Sequence, residues 1–423
     1  MEAARISDPT LAVAAFMEQV NRGRLRELVR NPLMATILCQ LHAADPAYPL
    51  PRGRFSAYQR FYELLKDRFY DCSSTGISDQ LNDQLRRYGA QSITAINDLP
   101  GKILEALGHV ALHQQHERAS HSFGEIRASV ACLRPKDMPT SRWEALIVQV
   151  LRRTGLAVIN GDDLSFVHQT LGEFLAAKYA ASNTKFSEEE FRRLSHKDGR
   201  YSPSYLTSYD RFLIAAWFEE DCRPPGLRDL MLHLSANYSS AAGISELIRD
   251  GIDLGKGVRD SVAETLLKMA SGRNLSTTIL AAENLASLDI SSAVEVLSVV
   301  LKNPRITFLD RALLSKKIIE FDPLRAVDTF AELSMSRQLN IMYRDHASDY
   351  LMKLDPARAA SIISEMIIER RSDVDELIVL SKKLAKMDEP LAIDILSDIL
   401  DRYSWSELHR LRLLNWLSKM RSP

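Results

Sequence analysis

Apolar positions recur at helical spacing along most of the chain. Near the start, Val13, Phe16, Met17 and Val20 follow a Ser7-Asp8-Pro9 start signal and are spaced to form one buried helix face. Asn31-Pro32 opens a second helix, which continues through the apolar run 33–41. The Asn side chain can accept from free backbone N–H groups, and Pro suits the first helical position, where its missing donor would have no intrahelical partner. After a Pro/Gly-rich bridge over 46–53, Tyr58, Phe61, Leu65 and Phe69 share one face of an amphipathic helix predicted over 56–69. Residues 73–98 carry few apolar anchors and read as a loop, with helix resuming over 100–115.

One stretch breaks this rhythm. Apolar runs at 155–159 and 164–168 flank Asn160-Gly161-Asp162-Asp163, the pattern of a β-hairpin closed by an Asn-Gly turn. Directly after it, Thr170 and Glu173 have capping-box spacing, and Phe174, Leu175, Ala177, Lys178 and Ala181 carry a further helix. Helices, hairpin and helix in that order describe a winged helix. Beyond Phe186 the strand signal disappears, and breaks such as 223–226 and 251–257 separate helices.

From Leu285 a period emerges. Leu285-Ala-Ser-Leu-Asp289, Ile318-Ile-Glu-Phe-Asp322, Leu351-Met-Lys-Leu-Asp355 and Leu384-Ala-Lys-Met-Asp388 recur every 33 residues, and Leu417-Ser-Lys-Met420 begins a fifth copy. Ala293, Ala326, Ala359 and Ala392 hold one phase, and Pro323 and Pro356 follow the Asp at one offset. A unit of this length accommodates two antiparallel helices, the Asp or Asp-Pro starting the second and the Ala permitting close approach. The expectation is a HEAT- or TPR-like α-solenoid.

Composition narrows the function classes. A chain of 423 residues exceeds one ordinary core, and 46% hydrophobic with 26% charged residues excludes a disordered chain. Lys plus Arg (54) nearly balances Asp plus Glu (55), so no global field favours nucleic acid or anionic membrane, and neither partner is expected. Cys39, Cys72, Cys132 and Cys222 stand far apart and read as reduced, buried thiols in a cytoplasm. No leader and no membrane-spanning apolar run is read.

Three segments carry a family resemblance: Asn31-Pro32-Leu33 through Leu41, the helix after Leu50-Pro51, and Phe166-Val-His168-Gln-Thr170-Leu-Gly-Glu173-Phe174. Together they resemble the distal part of NACHT modules, signal-transducing NTPases of the STAND class, over roughly residues 10–182. The resemblance implies a helical subdomain over 1–72, a winged-helix domain over 99–182 and a second helical subdomain over 183–280, and the 33-residue period places the α-helical repeats over 281–423. It further implies that Pro32 packs near the adenine of bound ADP and that His168 reaches its terminal phosphate, locking an inactive state. A position just before a helix N-terminus suits an anion, which agrees with that role for His168.

The departure from the family is as informative. No Gly-x-x-x-x-Gly-Lys-Ser/Thr loop (Walker A) and no strand ending in an acidic Mg²⁺ site (Walker B) occurs in the sequence. Gly251-Ile-Asp-Leu-Gly255-Lys256-Gly257 is one residue short, lacks the hydroxyl, and reads as an interhelical loop. Without the phosphate nest and its lysine, no catalytic residue, no autonomous cofactor and no ATP hydrolysis by this chain alone are expected. ADP or ATP with Mg²⁺ is implied only for the complete family module.

The expected function is therefore the regulatory and sensor portion of a NACHT-type signal-transduction ATPase in bacterial defence or signalling, from a truncated or split protein. Its partners would be a missing N-terminal NTPase half, a protein ligand on the repeats, and further copies on activation. The alternative is a nucleotide-independent helical scaffold that binds a protein.

Blander readings stand beside the remaining signals. His109, His113, His116 and His121 could be imagined around a metal, but no acidic or thiol ligand joins them, so a solvated helix face is favoured and no metal site is expected. Arg22, Arg24, Arg26 and Arg30 read as an exposed helix, since Glu27 interrupts them and no aromatic residues interleave. His168 has the bland role of a core histidine stapling hairpin to helix; Thr170 and Glu173 need only cap, and Phe166 and Phe174 only pack. No Gly-x-Ser-x-Gly or His-Glu-x-x-His motif suggests a hydrolase.

Overall fold

The computed structural model describes residues 9–21, 25–70, 85, 88–89, 91–117, 123–196, 206–219, 223–272, 274–303, 305–336, 338–369 and 374–421. Among these the protein is mainly helical, with 22 α-helices and one two-stranded antiparallel hairpin. No helix among the described residues is long and apolar enough to cross a membrane. The chain divides into two compact units, Met1–Thr265 and Leu266–Pro423.

In the first unit the central element is the helix Gln169–Ser182, packed against Gln91–Glu117 and Ser208–Glu219. Its residues Leu171–Ala177 are all buried, so it is covered on every side, as expected of a helix with no polar stripe. Small residues let its neighbours close in: a Cβ on Gly108 would lie 2.8 Å from the Cβ of Tyr179. The hairpin pairs Ala157–Asn160 with Asp163–Phe166, Asn160 opposite Asp163, and Gly161 takes the left-handed φ of 66° that the tight loop demands. Arg127 ties this loop down, reaching Asp162 at 2.9 Å and Glu144 at 3.1 Å.

Four expectations are corrected here. Of the face predicted from Val13, Phe16, Met17 and Val20 in the helix Pro9–Asn21, only Val20 is buried, while Val13 and Met17 are 61% and 45% exposed, because burial is set by what neighbouring elements cover and not by spacing alone. The expected loop is helical over 91–98, because the helix Gln91–Glu117 runs through Pro100, anchored by buried Leu99, Ile103, Leu104 and Leu107. Thr170 is not a cap: the helix begins at Gln169 with His168 as its N-cap, and Glu173 binds the Gln169 side chain instead of closing a box. Cys39 and Cys132 are exposed, not buried; Cys72 and Cys222 lie outside the described residues, as do 73–84, 86–87 and 90 of the expected loop.

In the second unit the helices come in pairs: Leu275–Ala286 with Ile290–Leu301, Phe308–Phe321 with Pro323–Met335, Ile341–Leu354 with Pro356–Glu369, Val374–Ala385 with Glu389–Arg402, and then Glu407–Arg421. The recurring Asp opens each second helix. Asp289 accepts from the N–H of Ser291, Asp322 from Leu324 and Arg325, Asp355 from Arg358, and Asp388 from Leu391, all between 2.9 and 3.1 Å. Ala293, Ala326, Ala359 and Ala392 are all fully buried, as close approach requires. One apolar core runs through the unit, from Ala282 and Val294 to Leu417 and Met420.

Candidate functional site

A cleft of about 80 Å³ opens in the first unit where several segments meet. Its walls include Asn31, Arg52, Arg54, Tyr58, Thr170, Arg211, Glu246, Arg249 and Asp250, over a floor of Phe55 and Phe212. Asn31 reaches it as the N-cap of Pro32–Ala44, accepting from the N–H groups of Leu33 at 3.0 Å and Met34 at 3.3 Å. Pro32 occupies the first helical position and is exposed.

The opposite wall includes Thr170 and Tyr58, held from behind by His168, which does not itself line the cleft. The His168 Nδ1 accepts from the backbone N–H of Thr170 at 3.3 Å and lies 2.8 Å from the Thr170 hydroxyl, which in turn lies 2.7 Å from the Tyr58 hydroxyl. With Nδ1 accepting, the neutral imidazole carries its proton on Nε2, so His168 keeps one ring donor beyond the cap. Tyr58 stacks on Phe174 at 5.5 Å and meets Phe212 edge-on at 5.6 Å; burial pushes its phenol above the ordinary value. Glu173, buried beneath, is likewise held above the usual carboxylate range by desolvation.

The third wall is set by a long-range contact. Asp250 follows the helix Tyr238–Arg249, and its carboxylate accepts from the N–H of Arg54 at 3.2 Å, capping Arg54–Tyr70 from 196 residues away. The approach is so close that a Cβ on Gly53 would lie 2.4 Å from the Asp250 carbonyl oxygen, so only glycine fits. Burial raises the Asp250 pKa against the opposing pull of that backbone bond and of Arg249 and Arg54. Arg211 pairs with Glu246 at 2.9 Å. The cleft thus gathers four guanidinium groups against the carboxylates of Glu27, Glu246 and Asp250, over an aromatic floor. Such a lining suits an anionic ligand with a planar or apolar part.

Beneath Arg211 lies a network invisible in the sequence. Arg193 bridges Glu190 at 2.7 Å and fully buried Asp210 at 2.6 Å, and His116 meets Glu190 at 2.7 Å. Burial would raise the Glu190 pKa, but bonds from His116 and Arg193 hold it below the usual range. The network ties Gln91–Glu117, Thr184–His196 and Ser208–Glu219 together, and so fixes the helix start that carries Arg211 and Phe212.

The other sequence candidates fall elsewhere. His109 and His113 are half-buried, with their Nε2 atoms 3.0 Å apart, and His109 lies edge-on to Tyr179; with His116 bound to Glu190, this is not the freely solvated face that was expected. Among the described residues no group of three or more His, Cys, Asp or Glu is gathered for a metal; His121 lies outside them. Arg26 and Arg30 are exposed, while Arg22 and Arg24 lie outside the described residues. Gly251–Gly257 bridges two helices, with Gly251 and Gly255 at positive φ and Ile252 and Leu254 buried. Comparison with known proteins found no matching family model, no matching curated protein and no matching solved structure.

Proposed function

We propose that this chain is the regulatory portion of a NACHT-type signalling ATPase, in which the cleft between Asn31 and Thr170 responds to ADP or ATP. In this reading 1–72 and 183–280 are helical subdomains, 99–182 is the winged helix, and 281–423 is an α-solenoid that senses a protein ligand in the cytoplasm. The observation that carries it is that Asn31, from the first family motif, and Thr170, from the second, line one arginine-bearing cleft although well over a hundred residues separate them, with Pro32 and His168 each adjacent to a lining residue and not in the lining itself. The guanidinium groups of Arg52, Arg54, Arg211 and Arg249 are donors suited to phosphate oxygens.

The winged-helix assignment is supported by the order Phe123–Ser129, Thr140–Thr154, hairpin, Gln169–Ser182. The solenoid assignment is supported by bonds between residues about one period apart: Ser298 with Thr329, Lys317 with Glu283, and Arg358 with Asp328. Hydrolysis is assigned to a partner module that supplies the phosphate loop.

The test is titration of fluorescent ADP and ATP, with Mg²⁺, into the purified chain. Saturable binding that His168→Ala or Arg54→Ala weakens roughly tenfold, the loss of about one charge-assisted contact, supports the reading. Absence of binding at millimolar nucleotide sinks it and leaves the protein-binding scaffold. One observation favours that second reading: Leu280 and Leu313, and likewise Leu309 and Met342, are exposed apolar side chains one period apart on successive first helices.

A further inference from the structure

A second arrangement of side chains lies outside the cleft, on the helix Gln91–Glu117. His109 and His113 stand one turn apart on it, and their Nε2 atoms converge to 3.0 Å, with the two rings edge to face at 4.4 Å between centroids. Tyr179 lies edge-on to His109 at 5.4 Å and Phe186 lies 6.2 Å from it, so the neighbouring helices Gln169–Ser182 and Thr184–His196 confine the ring from one side. Both histidines are half-buried and so keep partial access to solvent. A hydrogen bond between two neutral imidazoles uses one Nε2–H and one Nε2 lone pair. The same two atoms become a chelate when the donor ring carries its proton on Nδ1 instead.

We propose that His109 and His113 form a two-histidine metal site that prefers Cu²⁺ to Ni²⁺ and Zn²⁺. Imidazoles at i and i+4 share one helix face, which is the spacing that lets a helical His-x-x-x-His pair hold one ion. With metal–nitrogen bonds of about 2.0–2.1 Å, nitrogens 3.0 Å apart subtend nearly a right angle at the ion. That is the angle between adjacent positions of a tetragonal Cu²⁺ site, whereas a tetrahedral ion needs its nitrogens about 3.4 Å apart. Cu²⁺ also heads the affinity order for nitrogen ligands. The convergence exists before the ion arrives, so little side-chain freedom is lost on binding. Among the described residues no third His, Cys, Asp or Glu joins the pair. His116 is held by Glu190 at 2.7 Å, and Glu105, one turn before His109, by Lys102 at 2.7 Å. Water completes the coordination shell, which makes the bound ion an exchangeable one.

The test is titration of Cu²⁺ into the full chain, followed by electron paramagnetic resonance. One equivalent should give an axial signal with splitting from two nitrogens. His109→Ala and His113→Ala should each weaken binding at least roughly tenfold, the least that even outer-shell changes cost a metal site, while His116→Ala leaves it unchanged. Ni²⁺ and Zn²⁺ in competition should bind at least about tenfold more weakly than Cu²⁺. Circular dichroism of each variant separates loss of a ligand from loss of the fold, and the nitrogen count in the unaltered chain depends on no variant. A signal with fewer than two nitrogens, or one that survives both His109→Ala and His113→Ala, means copper scattered over surface groups and overturns the proposal. So does an affinity for Zn²⁺ equal to that for Cu²⁺. The site shares no residue with the cleft, so metal and nucleotide binding can fail separately.

Discussion

Arg311 and Arg344 make the same contact one period apart. Each reaches back from a first helix to the carbonyls that end the helix before it, Arg311 to Leu301 and Asn303, and Arg344 to Ser334 at 2.7 Å. Both side chains are buried, and burial lowers the Arg311 pKa from its ordinary value. A helix end shut away from water must find donors for its last carbonyls, and at these two junctions a guanidinium supplies them. Arg344→Met should cost about 1–3 kcal/mol in urea denaturation, because it strands a buried carbonyl and the Glu369 carboxylate together. Stability within a few tenths of wild type would show that water replaces the side chain at no cost.

The Asp caps give a milder and more uniform expectation. Asp322→Ala should cost about 1 kcal/mol, and Asp322→Asn much less, since the amide oxygen can still accept from the Leu324 and Arg325 N–H groups. The same pair of substitutions at Asp388 should give the same ranking. Equal losses for Ala and Asn would point to charge, not capping, as the source.

Gly53→Ala tests the cleft wall. The added Cβ meets the Asp250 backbone, which cannot swing aside as a side chain can, so the strain should cost about 1–3 kcal/mol. It should also release Asp250 from the Arg54 N–H, which hydrogen exchange at that amide would report.

Acidification should weaken the second unit through His346. Its ring sits against Phe308 at 4.6 Å and Tyr350 at 4.8 Å, and burial lowers its pKa from 6.5, with Asp349 pulling up and Lys383 and Lys353 pulling down. The folded state therefore binds the proton less readily than the unfolded chain. This contribution is complete above the ordinary value and is lost as the pH falls through the lowered one. Melting at about pH 7.5 and about pH 5 should show the loss, and His346→Leu should remove that part of it.

What the sequence made legible were local relations. The Asn31-Pro32 cap, the hairpin at Gly161 and the Asp at each second helix depend on residues within a few positions of one another. The Arg311–Arg344 period was also present in the sequence and went unread, because a buried arginine looks like a surface one until its partner carbonyl is known. His168 was missed as a cap because Thr170 is the commoner capping type, and only the ring orientation decides between them. The Asp250 cap and the Glu190–Arg193–Asp210 network join elements distant in sequence, and no periodicity encodes such meetings. Val13 and Met17 have the spacing of a buried face, yet burial is set by what neighbouring elements cover.

The bond from Asp250 to Arg54 also bears on the order in which the polypeptide can take shape as it is made. The helix that forms one side of the cleft waits for its cap until 196 further residues have been synthesised, so the first unit closes late and Phe55 spends most of that interval before Phe212 and Asp250 exist to join it. Each Asp-capped pair that follows needs only its own stretch of about one period and can assemble on the pair before it as it leaves the ribosome. A pause in translation before Asp250 would therefore expose apolar surface to chaperones and proteases, while a pause within the repeats would interrupt a structure already able to stand.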